Sequence, residues 1–230
     1  MKKTLVTLGI LFFGSSSIAV GQAVTFDPRV LPDQAHDIAG ERVEVIQRGN
    51  EVRATLPWKG ENGLVVKYDM GEPTPTERVK GRRDKEVVTE VINDSFKIDF
   101  LLNKKPKTNV FCQQFEGYED YDFVKIQPLT EEEKQQGIVK NPDAIGSYDI
   151  RHKTLRNYET SGYNYGYGQF GQIDFPSVWE VGNKEATIQR AEDITFDSEN
   201  GELCVYVQQD FLDKATYPVR VDPTIGYTAD

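Results

Sequence analysis

Apolar and polar positions along this chain alternate mostly with a period of two, the spacing of half-buried strands, and helical spacing is almost absent. Val43 and Val45 alternate with polar residues, Gly49 and Asn50 supply turn chemistry, and Val52, Ala54 and Leu56 alternate again, which predicts a hairpin. Asn62 and Gly63 precede the apolar run Leu64, Val65 and Val66, the mark of a second hairpin. Gly71 to Thr76 reads as a loop, because Pro73 and Pro75 withhold amides that a sheet ladder needs. The clearest strand is Phe96, Ile98, Phe100 and Leu102, interleaved with Lys97, Asp99 and Leu101, as expected of one buried face. Val110 to Phe115 and Phe123 to Ile126 are further strands around the acidic turn Glu116 to Asp122. Ile194 and Phe196 face Leu203, Val205 and Val207 across a turn carrying Asn200 and Gly201, a strong hairpin signal.

One short helix interrupts this pattern. Thr130 followed by Glu133 matches a capping box and Gly137 is a suitable stop, so residues 131–136 are predicted to be helical. The fold class that follows is all-β: an antiparallel, sandwich-like domain of eight to twelve strands, with two smaller sheets joined near residues 70–95 as the alternative. The module is bounded at 41–225. Val219 to Val221 form the last predicted strand, Pro223 ends it, and 226–230 reads as the start of a linker to a downstream domain.

The first residues follow another logic. Lys2 and Lys3 precede an apolar run from Leu5 to Phe13, then Ser15, Ser16, Ser17 and Ala19, the three parts of a secretory signal peptide. Gly21 and Ala23 suit a cleavage site, giving a signal over 1–23, and cleavage after Ala19 competes with it. The apolar run is too short to span a bilayer, which needs about 20 apolar residues, so no membrane span is expected once the signal is removed. Residues 24–40, with Pro28, Pro32 and Gly40, form an extended leader. The predicted location is secreted or cell-surface, with virion association included.

Charge narrows the partners. The formal net charge of −10 argues against nucleic acid, since affinity for a polyanion rests on neutralising phosphates. The one basic cluster, Arg78, Lys80, Arg82, Arg83 and Lys85, is broken by Asp84 and reads as a solvated loop or edge strand. Cys112 and Cys204 are either a disulfide, which an exported chain can form, or two small thiols in separate strands. Neither Cys-x-x-Cys spacing nor a nearby histidine supports a zinc site.

No catalytic signature is present in the sequence. Of the two histidines, His36 lies in the leader and His152, between Arg151 and Lys153, reads as a half-exposed strand residue. Gly-x-Ser-x-Gly, His-Glu-x-x-His and phosphate-cradling loops are missing, and no pair among the many carboxylates stands out for glycoside hydrolysis. Calcium candidates are Glu119, Asp120 and Asp122, with Glu116, in one acidic turn, and Asp193, Asp197 and Glu199 in another; neither has EF-hand spacing. Tyr163, Tyr165 and Tyr167 would share one face of a strand, with Phe170, Phe175 and Trp179 following. Exposed, such a row stacks on sugar rings with Asn164 and Gln169 beside it; inward, it is core. No cofactor is implied.

The segments NVFCQQFEGYEDYDF (109–123), QPLTEEEKQQG (127–137), GSYDIRHKT (146–154) and FLDKATYPVRVDPTIGYT (211–228) make the half from Asn109 to Thr228 resemble a module of exported bacterial proteins and phage-like surface proteins. The resemblance implies an extracellular setting upstream of other β domains, and no particular activity. Members commonly carry a His-Ile-Tyr-Arg-Pro run. Here GQFGQIDFP (168–176) keeps Gly168, Ile173 and Pro176 but places Gln172, Asp174 and Phe175 at the other positions, so a polar task of that run is expected to be lost. The resulting expectation is a non-catalytic structural or adhesive module of a larger exported or virion-surface protein, with other β domains as partners. A carbohydrate-binding domain taking glycans is the alternative, and a glycan or cell-wall hydrolase the next.

Overall fold

The computed structural model describes residues 43–58, 61–92, 95–154, 159–160, 163–164 and 169–227. The chain runs β1 (Glu44–Arg48), β2 (Glu51–Trp58), β3 (Glu61–Asp69), α1 (Pro75–Lys80), β4 (Lys85–Ile92), β5 (Ser95–Leu102), β6 (Val110–Glu116) and β7 (Tyr121–Lys125). It continues through α2 (Glu131–Gln135), β8 (Tyr148–His152), β9 (Glu159–Thr160), β10 (Tyr163–Asn164), β11 (Gln169–Ile173), β12 (Ser177–Glu180), α3 (Lys184–Thr187) and β13 (Gln189–Arg190). It ends with β14 (Asp193–Asp197), β15 (Glu202–Tyr206), α4 (Gln209–Lys214), β16 (Val219–Asp222) and β17 (Thr224–Tyr227).

Two antiparallel sheets hold nearly all of these strands, as the alternating pattern requires. Sheet A has the order β1-β2-β3-β6-β15-β14. Sheet B has the order β13-β12-β16-β5-β17-β11-β8-β7, with β4 on the outer side of β5. The predicted hairpins are present: Val52 pairs with Gln47 and Ala54 with Val45, while Ile194 pairs with Val205 and Phe196 with Leu203. The stretch 70–95 does not divide the chain into two units. It carries the backbone from β3 in sheet A to β4 and β5 in sheet B, and later strands return to both sheets.

Period-two alternation fills the space between the sheets. Sheet A turns Val52, Ala54, Leu64, Val66, Phe111, Phe115, Leu203 and Val205 inward, and sheet B meets them with Phe96, Ile98, Phe100, Ile150, Ile173, Val221 and Ile225. Aromatic rings join the layers: Tyr68 and Phe111 contact Phe100 at 5.1 and 5.5 Å, and Phe123 stacks on Phe196 at 3.6 Å between centroids. Fully burying such side chains stabilises the fold by about 1.5–3 kcal/mol each.

Sheet B has a break that the sequence does not announce. Val221 pairs with Phe100 and Thr224 with Lys97, so β16 and β17 are two halves of one strand running past β5. Asp222 and Pro223 fall across from Asp99 and Ile98, where no ladder pairing forms. The next strand breaks at the same level: β12 pairs with β16, β11 pairs with β17, and Asp174 to Pro176 lie between. The described residues hold seventeen strands against the eight to twelve expected: these two breaks add two, and β9, β10 and β13 are strands of only two residues.

Two further expectations need correction. Pro75 and Thr76 are not loop, because Pro75 opens α1, which Thr74 caps in a reciprocal capping box with Glu77. Proline suits a first helical turn, whose amides lack partners anyway. Glu77 also accepts from the amides of Thr74 and Asp84, which with the Thr74 hydroxyl lower its pKa to about 2, the Asp84 amide most of all. Gly226 and Tyr227 are not linker, since β17 pairs with both β5 and β11. Gly226 is required there: a Cβ would collide with the Ser95 side chain and come within 2.9 Å of its Cα. The helix expected at 131–136 forms as Glu131–Gln135, with its capping box. Among the described residues no helix is long and apolar enough to cross a membrane.

Candidate functional site

The break in sheet B collects the most unusual chemistry among the described residues. On β5 the even-numbered residues enter the core, so Lys97, Asp99 and Leu101 face outward. Arg220 and Asp222 face the same way on β16, whose partners Val219 and Val221 are buried. Arg220 donates to Asp99 through Nε and a terminal nitrogen and lies 3.9 Å from Glu90. Lys97 donates to Asp222 at 2.7 Å, and the Thr224 hydroxyl reaches the other Asp222 oxygen at 3.3 Å.

Asp99 is 0% exposed although it points away from the core. Its Oδ1 has no donor, and its pKa is pushed up to about 7. Desolvation is the main cause, the Asp222 charge adds to it, and Arg220 opposes it. Protonation turns an acceptor into a donor, so a protonated Asp99 can donate to the Asp222 carboxylate. A carboxylic acid that keeps its proton near neutral pH is raw material for acid–base catalysis. Here, however, the candidate acid is sealed from any substrate, and Arg220 and Lys97 occupy the pair. The arrangement acts as an ionic strut across the strand break.

Tyr165 and Tyr167 lie outside the described residues. Tyr163 and Asn164 form β10, a short ribbon with Thr160 and Glu159 of β9. Trp179 is 5% exposed and no sugar platform. It stands on the outer face of sheet B opposite Arg220, with Lys184 Nζ at 4.2 Å and the Arg220 guanidinium at 5.6 Å from its ring. Phe175 is covered by Arg190 at 4.1 Å. Gln172 donates to Asp174 at 2.7 Å, so two residues of the altered His-Ile-Tyr-Arg-Pro region serve each other.

The calcium candidates do not gather into a common set of three ligands. Glu119 and Asp120 are exposed on a 3-10 turn, Asp122 pairs with Arg151 in the β7·β8 ladder, and Glu116 is held by Lys67 and Arg53, each at 2.6 Å. In the other turn Asp193 accepts from Lys125 at 2.7 Å, and Asp197 is taken up by Asn200 and the Glu199 amide. His152 is buried rather than half-exposed: its ring packs against Tyr121 at 5.1 Å and its Nδ1 accepts from the Thr154 amide. His36 lies outside the described residues. The basic cluster is held by local partners. Arg83 binds the Met70 carbonyl and Asn50, and Lys85 lies over the rings of Tyr68 and Phe100.

Cys112 and Cys204 are joined in a disulfide across directly paired residues of β6 and β15, with Cα atoms 4.1 Å apart. Among the described residues, these sulfurs and the Glu202 carboxylate are also the one set of three potential metal ligands within 4.8 Å of one another. A groove of about 510 Å³ runs between α3 and α4 past Ile188 and Phe211. Its polar wall is engaged internally, Glu180 by the Thr216 amide and Lys214 by Asp210. No family model, curated protein or solved structure matches the chain.

Proposed function

We infer that this protein is a non-catalytic structural or adhesive module that works outside the cytoplasm, as a β domain of a larger exported or virion-surface protein. The Cys112–Cys204 bridge carries this reading, because a disulfide between neighbouring strands persists in an oxidising compartment and is rare in a reducing one. The signal-like start at Met1 to Ala23 agrees with it. The non-catalytic part of the reading draws on Asp99, a carboxylate whose raised pKa would suit proton transfer but which is buried under Arg220.

The test is fractionation of a bacterial host expressing the tagged full chain, with thiols alkylated before any reductant is added. The expected outcome is a processed chain outside the cytoplasm that takes up no alkyl group. Retention in the cytoplasm with both cysteines alkylated overturns the location. Turnover of peptidoglycan or a polysaccharide by the purified chain, lost in Asp99→Asn, would replace the structural reading with that of a hydrolase.

A further inference from the structure

Residues of sheet A that face away from the core converge on the disulfide. Phe111, Gln113 and Phe115 of β6 and Leu203 and Val205 of β15 are buried, so Cys112, Glu202 and Cys204 lie on the opposite face. Glu202 Oε2 stands 3.4 Å from Cys204 Sγ, while Gln114 Nε2 donates to Oε1 at 2.9 Å and orients the carboxylate. A bridged sulfur has no hydrogen to give, so a hydrogen bond does not explain this approach in the oxidised protein. A carboxylate aimed at two sulfurs and steered by an amide behind it is the layout of a metal ligand with its outer-shell partner.

We propose that reducing the Cys112–Cys204 bridge opens a soft-metal site formed by the two sulfurs and Glu202. A dithiol reductant opens it by exchange. Its thiolate attacks one protein sulfur and releases the other, and its second thiol then attacks the reductant sulfur of the mixed disulfide, releasing the remaining cysteine while the reductant leaves as a cyclic disulfide. Two electrons pass to the protein, and two protons end on Cys112 and Cys204. A divalent cation displaces both protons as it binds. Two metal–sulfur bonds of about 2.3 Å at a tetrahedral angle separate the sulfurs by about 3.8 Å, and a carboxylate oxygen binds at about 2.0–2.2 Å. The observed 4.8 Å envelope accommodates that geometry once the sulfurs rotate apart. Thiolates select zinc or cadmium over calcium and magnesium, and a fourth position stays open to solvent. The strands that carry the ligands are pinned by their buried neighbours, so the redox state alone switches the site between staple and metal centre.

The experiment reduces the full chain with a phosphine, removes the phosphine without oxygen, and titrates cadmium while recording sulfur-to-cadmium charge-transfer absorption and far-ultraviolet circular dichroism. The expected result is one cadmium per reduced chain, release of two protons, no absorption from the oxidised chain, and an unchanged strand spectrum. Glu202→Gln lowers the affinity by about tenfold or more, since losing even an outer-shell partner costs that much. Absent absorption in the reduced chain, an unaltered titration in Glu202→Gln, or loss of the strand spectrum on reduction would each overturn the proposal.

Discussion

Gln113 of sheet A donates through the core to the carbonyl of Ile98 in sheet B, Nε2 to oxygen, at 2.7 Å. Ile98 lies across from Pro223, which has no amide hydrogen to offer a neighbouring strand. A polar side chain from the facing sheet therefore satisfies a backbone acceptor at the break. Gln113 is buried and its Oε1 finds no donor, so the contact carries a desolvation cost. Gln113→Ala strands the Ile98 carbonyl and leaves a cavity, with an expected loss of about 2–4 kcal/mol in urea unfolding. Gln113→Met fills the space and removes the orphaned Oε1, and is expected to cost only about 1–2 kcal/mol. Equal effects from the two substitutions would mean that the hydrogen bond contributes nothing.

Asp99 makes stability depend on pH in a defined direction. Its folded pKa, about 7, lies above the ordinary 3.8, so between those values the folded chain holds a proton that the unfolded chain has released. Its contribution is complete below about pH 3.8 and is lost as pH rises through about 7. Unfolding free energies of wild type and Asp99→Asn, compared from pH 4 to 8, should show the wild type weakening relative to the variant as pH rises. Parallel curves would place Asp99 outside the titration.

The disulfide closes a sequence separation of 92 residues. Removing it with Cys112→Ala and Cys204→Ala should cost about 2–5 kcal/mol while leaving a folded protein, because the core between the sheets is untouched. Alkylation of the unreduced chain should leave its mass unchanged. Two adducts would show that the bridge is open in solution.

Gly201 and Gly49 both sit in left-handed turns, at φ 64° and 59°. A Cβ on Gly49 meets open space, whereas one on Gly201 enters the Tyr118 ring and comes within 2.9 Å of the Phe115 carbonyl. Thermal melting should therefore separate two glycines that turn chemistry treats alike. Gly49→Ala should cost about 1 kcal/mol from backbone strain, and Gly201→Ala a further 1–3 kcal/mol, roughly, from overcrowding.

Trp179→Ala should act on stability rather than recognition, with an expected loss of about 3–5 kcal/mol for a buried ring. Glycan retention that falls while the melting midpoint stays fixed would restore Trp179 to a binding surface.

Local sequence determined what local physics controls in this protein. Alternation at Val52, Ala54 and Leu56, the turn at Asn200 and Gly201, and the reciprocal cap of Thr130 and Glu133 each specify an element, since the interacting groups are a few residues apart. Helix α1 was legible by the same rule: Thr74 and Glu77 repeat the signal of Thr130 and Glu133, but Pro75 reads as a breaker unless its place in the first turn is recognised. Tertiary structure alone decided the rest. Arg220 reaches Asp99 across 121 positions, Gln113 finds Ile98 in the other sheet, and Glu202 meets a disulfide whose halves are 92 residues apart. Strand order sets those meetings, and it depends on which apolar faces bury one another, a competition among distant segments that no local pattern records.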